Sequence, residues 1–327
     1  MKVLLDILIL LVGFVALIKG ADWFVDGSAA VARRFRVPGV IIGLTIVAMG
    51  TSAPELAVST SAAIQGSNEI AFSNVVGSNL FNLLMVLGIC AIIHPVPVDR
   101  LIMKRDYPVN LGITVILMLF TALPAFLDGN LFNRSMGEEV GNVSRICGIT
   151  LLVIFVLYIF FLIRNARKNR TEEAEDEELM PGWKCVVLIL VGIGCIVGGG
   201  EAVVYGAKNI ALAAGMSETL VGLTIVAMGT SLPELVTSIV AARKGQVGMA
   251  VGNVVGSNIF NILLILGVSS AIHPFGINLA SVYDMIILLA VSVITLFFCL
   301  HKHRISRAEG VIMVLLYASD MVFAIMR

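Results

Sequence analysis

Two carboxylates stand inside apolar sequence. Gly50-Thr51-Ser52-Ala53-Pro54-Glu55 and Gly229-Thr230-Ser231-Leu232-Pro233-Glu234 each fall near the middle of a hydrophobic stretch. An acidic side chain at the centre of a spanning helix costs about 2.5–3.5 kcal/mol on insertion scales. An amide or an apolar residue would meet a structural need more easily, and a bound cation would offset the cost. Pro54 and Pro233 carry no N–H, so the carbonyls of Gly50 and Gly229 lose their helical partners. Each segment should therefore kink or unwind, and freed carbonyls and the Thr and Ser hydroxyls become available oxygens. Irregular backbone at this depth is tolerated only inside protein or against a water-filled cavity. Two proline kinks, each holding a protonated glutamate, would be the structural alternative. Recurrence of the whole feature favours a site.

A second pattern follows each motif. Asn74, Ser78 and Asn82 are spaced i, i+4, i+8 and share one helix face, with Asn79 beside them. Asn253, Ser257 and Asn261, flanked by Asn258, repeat it. Small polar stripes can simply join helices through hydrogen bonds. As a set facing the Glu motifs, these read as the lining of a site, and Asn79 and Asn258 are counted among its candidate ligands.

The inventory is all oxygen, with no His or Cys in it. That matches hard cations such as Ca²⁺ and Na⁺ rather than zinc or copper. Ca²⁺ takes about 6–8 oxygens, and two glutamates balance its charge. The same oxygens could hold several Na⁺ ions, and competition for one ligand set is enough to couple opposite fluxes. Ca²⁺ and Na⁺ are then transported ions, and no resident cofactor is expected. An intramembrane hydrolase using Ser52 or Ser231 would need a nearby base, and neither motif helix supplies one. No Gly-x-x-x-x-Gly-Lys-Ser/Thr loop suggests an ATP-driven pump. The chain reads as a non-enzyme.

The elements that carry these residues follow from composition. Of 327 residues, 58% are hydrophobic and 13% charged, against about 25% charged in soluble domains. Net charge is zero, which gives no reason to expect nucleic acid; membrane lipids are the expected surroundings. The five cysteines lie in or beside apolar runs and form no C-x-x-C pair, so they read as small buried hydrophobes. Ten stretches are long enough to span about 30 Å of hydrocarbon: 3–32, 38–65, 70–93, 107–126, 144–163, 184–213, 219–242, 249–272, 282–300 and 308–326. The first is read as a spanning helix rather than a cleaved leader. The runs lack the short alternation of barrel strands, and no strands are expected.

Residues 41–88 and 220–267 align without a gap at an offset of 179, with 29 identities in 48 positions. Each unit holds five spans. Two similar units with an odd span count must lie upside down relative to each other, an arrangement typical of secondary transporters, whose sites sit at the repeat interface. The fold class is thus all-α: ten transmembrane helices as two inverted five-helix repeats, 1–163 and 184–327, joined by a charged linker at 164–183. Alternate loops hold 16 of the 22 Lys and Arg residues, which places those loops in the cytoplasm and both termini outside, in the cell membrane. Asp22, Asp26 and Glu201 are left outside the core site, and Lys19 could pair with Asp22 at i, i+3.

Gly-Thr-Ser-x-Pro-Glu followed by Gly-Ser-Asn-hydrophobic-Phe-Asn, twice in one chain, resembles the Ca²⁺/cation antiporter superfamily, in particular its prokaryotic sodium/calcium exchanger branch. The resemblance implies that Glu55 and Glu234 are central Ca²⁺ ligands shared with Na⁺, and that Thr51 and Thr230 add oxygens to the Ca²⁺ site. It implies that Ser52, Ser231, Ser78 and Ser257, with the carbonyls of Ala48 and Ala227, line flanking Na⁺ sites, and that Asn82 and Asn261 face the centre. Some relatives carry Asp where Asn261 stands, so this chain has one carboxylate fewer, which bears on Na⁺ stoichiometry and K⁺ dependence. It also implies that helices 1 and 6 slide over a fixed core; the glycines at 192, 194 and 198–200 suit close packing against such a core. The expected function is Na⁺/Ca²⁺ exchange. The alternatives are H⁺/Ca²⁺ exchange, since a desolvated Glu can take up a proton, and an uncoupled channel, against which the inverted symmetry argues.

Overall fold

The computed structural model describes residues 2–66, 68–100, 102–127, 135–168, 179–216 and 227–326. The acidic part of the linker (169–178) and the start of the predicted span 219–242 lie outside the described residues. The chain is helical almost throughout: α1 (Lys2–Phe35), α2 (Gly39–Thr51), α3 (Ala53–Ile64), α4 (Ile70–Ile93), α5 (Tyr107–Leu127), α6 (Arg145–Lys168), α7 (Gly182–Ala213), α8 (Leu232–Arg243), α9 (Val247–Ile272), α10 (Leu279–Leu300) and α11 (Arg307–Met326). Among the described residues, eight helices are long and apolar enough to cross a membrane, and the bent pair α2–α3 makes a ninth. Leu4, Leu8, Val15, Ile146, Phe160 and Phe297 are among the many large apolar side chains left on the outside. Only lipid makes such a surface stable.

Local signals set the helix ends. Pro38 and Pro181 precede α2 and α7 as N-caps. The Asn278 side chain caps α10 by accepting from the Ser281 N–H at 2.9 Å. Ser306 and Glu309 form a reciprocal capping box on α11, with the Ser306 N–H donating to Glu309 Oε2 at 2.6 Å.

The expectation of no strands is corrected at the membrane margins. Two short antiparallel pairs occur, β1 (Val96–Pro97) with β4 (Arg304–Ile305) and β2 (Glu139–Val143) with β3 (Phe275–Asn278). Each joins a loop of the first half to a loop of the second. Backbone groups that leave a helix near the interface need partners, and a neighbouring loop supplies them.

α4 and α9 are the centre: 72% and 78% of their spanning windows are buried, against 22% for α1 and α11, 28% for α6 and α7, 39% for α10 and 44% for the span that contains α5. α1 and α7 pack chiefly on each other, in the most extensive helix pairing of the molecule. Their seam is built from glycines seven residues apart, Gly13, Gly20 and Gly27 on α1 and Gly192, Gly199 and Gly206 on α7. A seven-residue period keeps one stripe facing the partner as two helices coil, and glycine lets the backbones touch. A Cβ on Gly20 would stand 2.7 Å from that of Cys195, and one on Gly199 would stand 2.6 Å from the Leu17 nitrogen. Gly13 meets Gly199 while Gly27 meets Cys185, so the helices run antiparallel. Asn209 Nδ2 adds a bond to the buried Asp6 Oδ1 at 3.2 Å.

This corrects one detail of the sequence reading. Gly192 and Gly199 pack on α1 rather than on a core, Gly194 and Gly198 have nothing within 4 Å, and Gly200 alone of the run approaches the second motif, at Pro233. A methyl group should therefore act very differently at neighbouring positions. Gly199→Ala should destabilise the protein by about 1–3 kcal/mol, the usual cost of overpacking. Gly198→Ala should be neutral or slightly stabilising, because Ala is the better helix former. Thermal unfolding in detergent checks both; equal melting temperatures for the two variants would contradict the seam.

Candidate cation-binding site

The chain breaks where the prolines predict. α2 stops at Thr51 and α3 restarts at Ala53, with a bend of 49° between them. Ser52, at φ −83° and ψ 9°, is the joint, and Pro54 occupies the first turn of the new helix, where a missing N–H does no harm. The second motif repeats this with Ser231 at φ −93° and ψ 5°, ahead of α8. Each Glu thereby falls in the first turn of a helix, whose positive dipole end favours a negative charge.

The joints differ in one respect. The Ser52 N–H keeps its bond to the Ala48 carbonyl at 3.0 Å, whereas the Ser231 N–H turns to Met228 at 3.2 Å. The Ala227 carbonyl thus loses its usual helical partner, while that of Ala48 retains one.

Glu55 and Glu234 are both 0% exposed. Each is held by the other motif's serine: Ser231 Oγ donates to Glu55 Oε1 at 3.0 Å, and Ser52 Oγ to Glu234 Oε1 at 2.8 Å. Ser78 Oγ lies 3.0 Å from Ser231 Oγ, and Ser257 Oγ lies 3.4 Å from Glu234 Oε1. Thr51 reaches across to Asn253 Oδ1 at 3.1 Å and Thr230 to Asn74 Oδ1 at 3.3 Å. Behind them, Asn253 and Asn74 donate to Ser238 and Ser59, both at 3.0 Å. Asn79, Asn82, Asn258 and Asn261, all buried, join one another where α4 meets α9. The two motifs and the two stripes thus form one cluster, with bonds crossing between the sequence repeats. A π-helical turn takes in the last asparagine of each stripe, Phe81–Val86 in α4 and Asn261–Leu266 in α9. Such turns shift the register of a helix and are frequent at functional sites.

Four fully buried oxygens in this cluster have no partner among the described residues: Oε2 of Glu55, Oε2 of Glu234, Oδ1 of Asn82 and Oδ1 of Asn261. A buried polar atom left unpaired costs about 1–3 kcal/mol, and more when charged. Among the described residues, no Lys, Arg or His pairs with either carboxylate. The arrangement is short of positive charge and rich in free oxygen lone pairs, which suits a desolvated hard cation.

Ser59 and Ser238 escaped the sequence reading. Each stands four residues after its Glu, on the same face, so the signal was present. Glu201 lines a cavity of about 610 Å³ between α3 and α7 that reaches Thr230 and Pro233 of the second motif. At the repeat-equivalent junction, α1 against α8, the space is bridged. Lys244 Nζ meets Asp22 Oδ1 at 2.8 Å and Asp26 Oδ1 at 2.7 Å. Asp22 is thus claimed by a lysine from the far half rather than by Lys19. Partial burial disfavours the Lys244 ammonium, but the hydrogen bonds it donates to Asp22 and Asp26, with their negative charges, outweigh this and hold its pKa above the ordinary lysine value.

Comparison with known proteins follows the same lines. The family described as sodium/calcium exchanger protein matches residues 5–164 and 184–326. Sodium/calcium exchanger MaX1 of Methanosarcina acetivorans is 32% identical, over 97% of each chain. Inner membrane protein YrbG of Escherichia coli is 35% identical, over 95% of this chain and 94% of its own. A solved structure of the sodium–calcium exchanger NCX_Mj superposes with a TM-score of 0.82 at 33% identity, covering 98% of this chain and 99% of that one. With its paired motifs, its uncompensated buried carboxylates and this likeness over nearly its whole length, the chain belongs to the sodium/calcium exchanger family, as a multi-pass membrane antiporter of Ca²⁺ and other cations and not an enzyme.

Proposed function

We propose that this protein exchanges Na⁺ for Ca²⁺ by alternating access, with Glu55 and Glu234 as the ligands common to both ions. The supporting observation is the set of four unpartnered buried oxygens, two of them carboxylate. Two negative charges match one Ca²⁺, and the same oxygens with the hydroxyls of Thr51, Thr230, Ser52, Ser231, Ser78 and Ser257 can be divided among Na⁺ ions instead. One ligand set that serves either load, but not both together, makes each ion's passage depend on the other's release. The carbonyls of Ala48 and Ala227 complete the flanking positions in this reading.

The architecture in this reading is ten spans in two inverted units, residues 1–163 and 184–327, with segment 219–242 as the seventh span. Support comes from the antiparallel packing of the repeat-equivalent helices α1 and α7 and from the cross-repeat bonding of the motifs. The Lys- and Arg-rich loops then face the cytoplasm of the cell membrane and both termini face out. The cavity beside α7 is the external route to the site, and the Lys244 bridge closes the cytoplasmic one.

Radiolabelled Ca²⁺ uptake into proteoliposomes tests the coupling. An outward Na⁺ gradient should drive uptake, and a pH gradient alone should not; the reverse result would assign proton coupling, which a buried carboxylate could also support. Glu55→Gln and Glu234→Gln should each abolish uptake, and full transport by either variant would remove that residue from the site.

Lys244→Gln should shift the balance between the two access states modestly. Exposed ion pairs contribute about 0.2–1 kcal/mol, and Asp22 and Asp26 are 39% and 51% exposed. Apparent Ca²⁺ affinity at the two membrane faces, measured in oriented vesicles, should change by up to about fivefold in opposite directions, as about 1 kcal/mol allows. Unchanged affinities at both faces would remove the bridge from gating.

A further inference from the structure

The four asparagines at the meeting of α4 and α9 are bonded in a fixed order. Asn79 Nδ2 donates to the backbone carbonyl of Asn258 at 3.3 Å, and Asn258 Nδ2 donates to that of Asn79, also at 3.3 Å. A backbone carbonyl can only accept, so the amino end of each side chain is pinned against it. The Oδ1 of each must then point the other way. Both are occupied there: Asn261 Nδ2 donates to Asn79 Oδ1 at 2.9 Å, and Asn82 Nδ2 to Asn258 Oδ1 at 3.1 Å. The amino ends of Asn82 and Asn261 are therefore committed as well. Their carbonyl oxygens are left over, buried and without a protein partner.

The orientation of all four amides thus follows from two backbone carbonyls. This matters because the two ends of an asparagine are nearly the same size and opposite in polarity. Turned around, Asn82 or Asn261 would show a cation two N–H groups. We propose that Asn79 and Asn258 are positioning residues for ion binding. Without touching the ion, they hold Asn261 and Asn82 so that only oxygen faces the site. Each works on the stripe of the opposite repeat, so the clasp also sets the two half-sites relative to each other. Sequence reasoning groups Asn79 and Asn258 with the ligands; here both polar ends of each are already used within the protein. The proposal rests on the cation site described above.

An aspartate at 261 has oxygen at both ends and no orientation to be set, which provides the test. Equilibrium binding of radiolabelled Ca²⁺ to purified protein in Na⁺-free detergent is measured for Asn79→Ala with Asn261 intact and in an Asn261→Asp background. With Asn261 intact, Asn79→Ala should weaken Ca²⁺ binding about tenfold, the factor that one lost hydrogen-bond-sized interaction carries. In the Asn261→Asp background, where Asn79 Oδ1 faces an oxygen in place of an N–H, the same change should cause no loss beyond about twofold, ordinary additivity error, and relief of the repulsion can strengthen binding. Equal weakening in both backgrounds would overturn the proposal and make Asn79 a ligand or a mere packing residue. No weakening in either would overturn it too. Should Asn79→Ala fail to give monodisperse protein, its mate Asn258→Ala, read with and without Asn82→Asp, makes the same comparison. Asn261→Ala separates the levels of the argument: undiminished Ca²⁺ binding there would sink the site itself, whereas weakened binding with a background-independent Asn79→Ala would sink only the positioning role. Because the readout is binding, it stands whether Na⁺ or H⁺ drives transport.

Discussion

Two carboxylates buried together, with no positive side chain paired to them among the described residues, are the constraint around which this molecule is arranged. Glu55 and Glu234 accept hydroxyl bonds at one oxygen each and leave the other bare. In a low-dielectric interior, like charges repel strongly, and hydroxyl groups soften that only in part. A resident lysine or arginine would neutralise the pair permanently and end its usefulness. In the proposed exchange, leaving the charge to be matched by ions that come and go would keep the site selective for cations and oblige it to be loaded. Helix breaks at Ser52 and Ser231, dipole ends beneath each Glu and cross-bonded serines all lower the cost of burying that charge.

Duplication solves the positioning problem economically. Nearly every polar residue of one motif is held by a residue of the other: Ser52 by Glu234, Ser231 by Glu55, Thr51 by Asn253 and Thr230 by Asn74. The buried helices α4 and α9 bring the stripes together, and the short strand pairs tie the loops of the two halves at the margins. The symmetry is incomplete where function would need a bias. Ala48 keeps its helical bond while Ala227 does not, and the lysine that bridges α1 to α8 has Gln65 as its repeat mate.

Much of this was legible in the sequence, because the signals are strong and local. Apolar length located the eight long helices and the bent pair found among the described residues to within a few residues, as at 70–93 against Ile70–Ile93. The prolines located the breaks, and helical spacing placed Asn74, Ser78 and Asn82 on one face. What stayed hidden depends on distance along the chain. Nothing near Asp22 announces a lysine 222 residues away. Short strands formed by loops of opposite halves carry no periodicity to read. The direction of an asparagine amide has no trace in sequence at all, since both ends belong to one residue. The glycines of α7 were visible, but their role depended on a seven-residue rhythm shared with α1, and the densest cluster, at 198–200, drew attention away from it.

That shared rhythm has a mechanical consequence. Seven residues of helix rise about 10.5 Å, so the interlocked backbones of α1 and α7 have no resting position short of a full repeat. Close backbone packing of this kind resists small shear and favours movement of the two helices as one unit. One face of that pair borders the cavity by α3, and another carries the carboxylates that grip Lys244. In the proposed exchange cycle, a rigid lever of this kind would couple the cavity beside α7 to the Lys244 bridge, so that one opens only as the other closes.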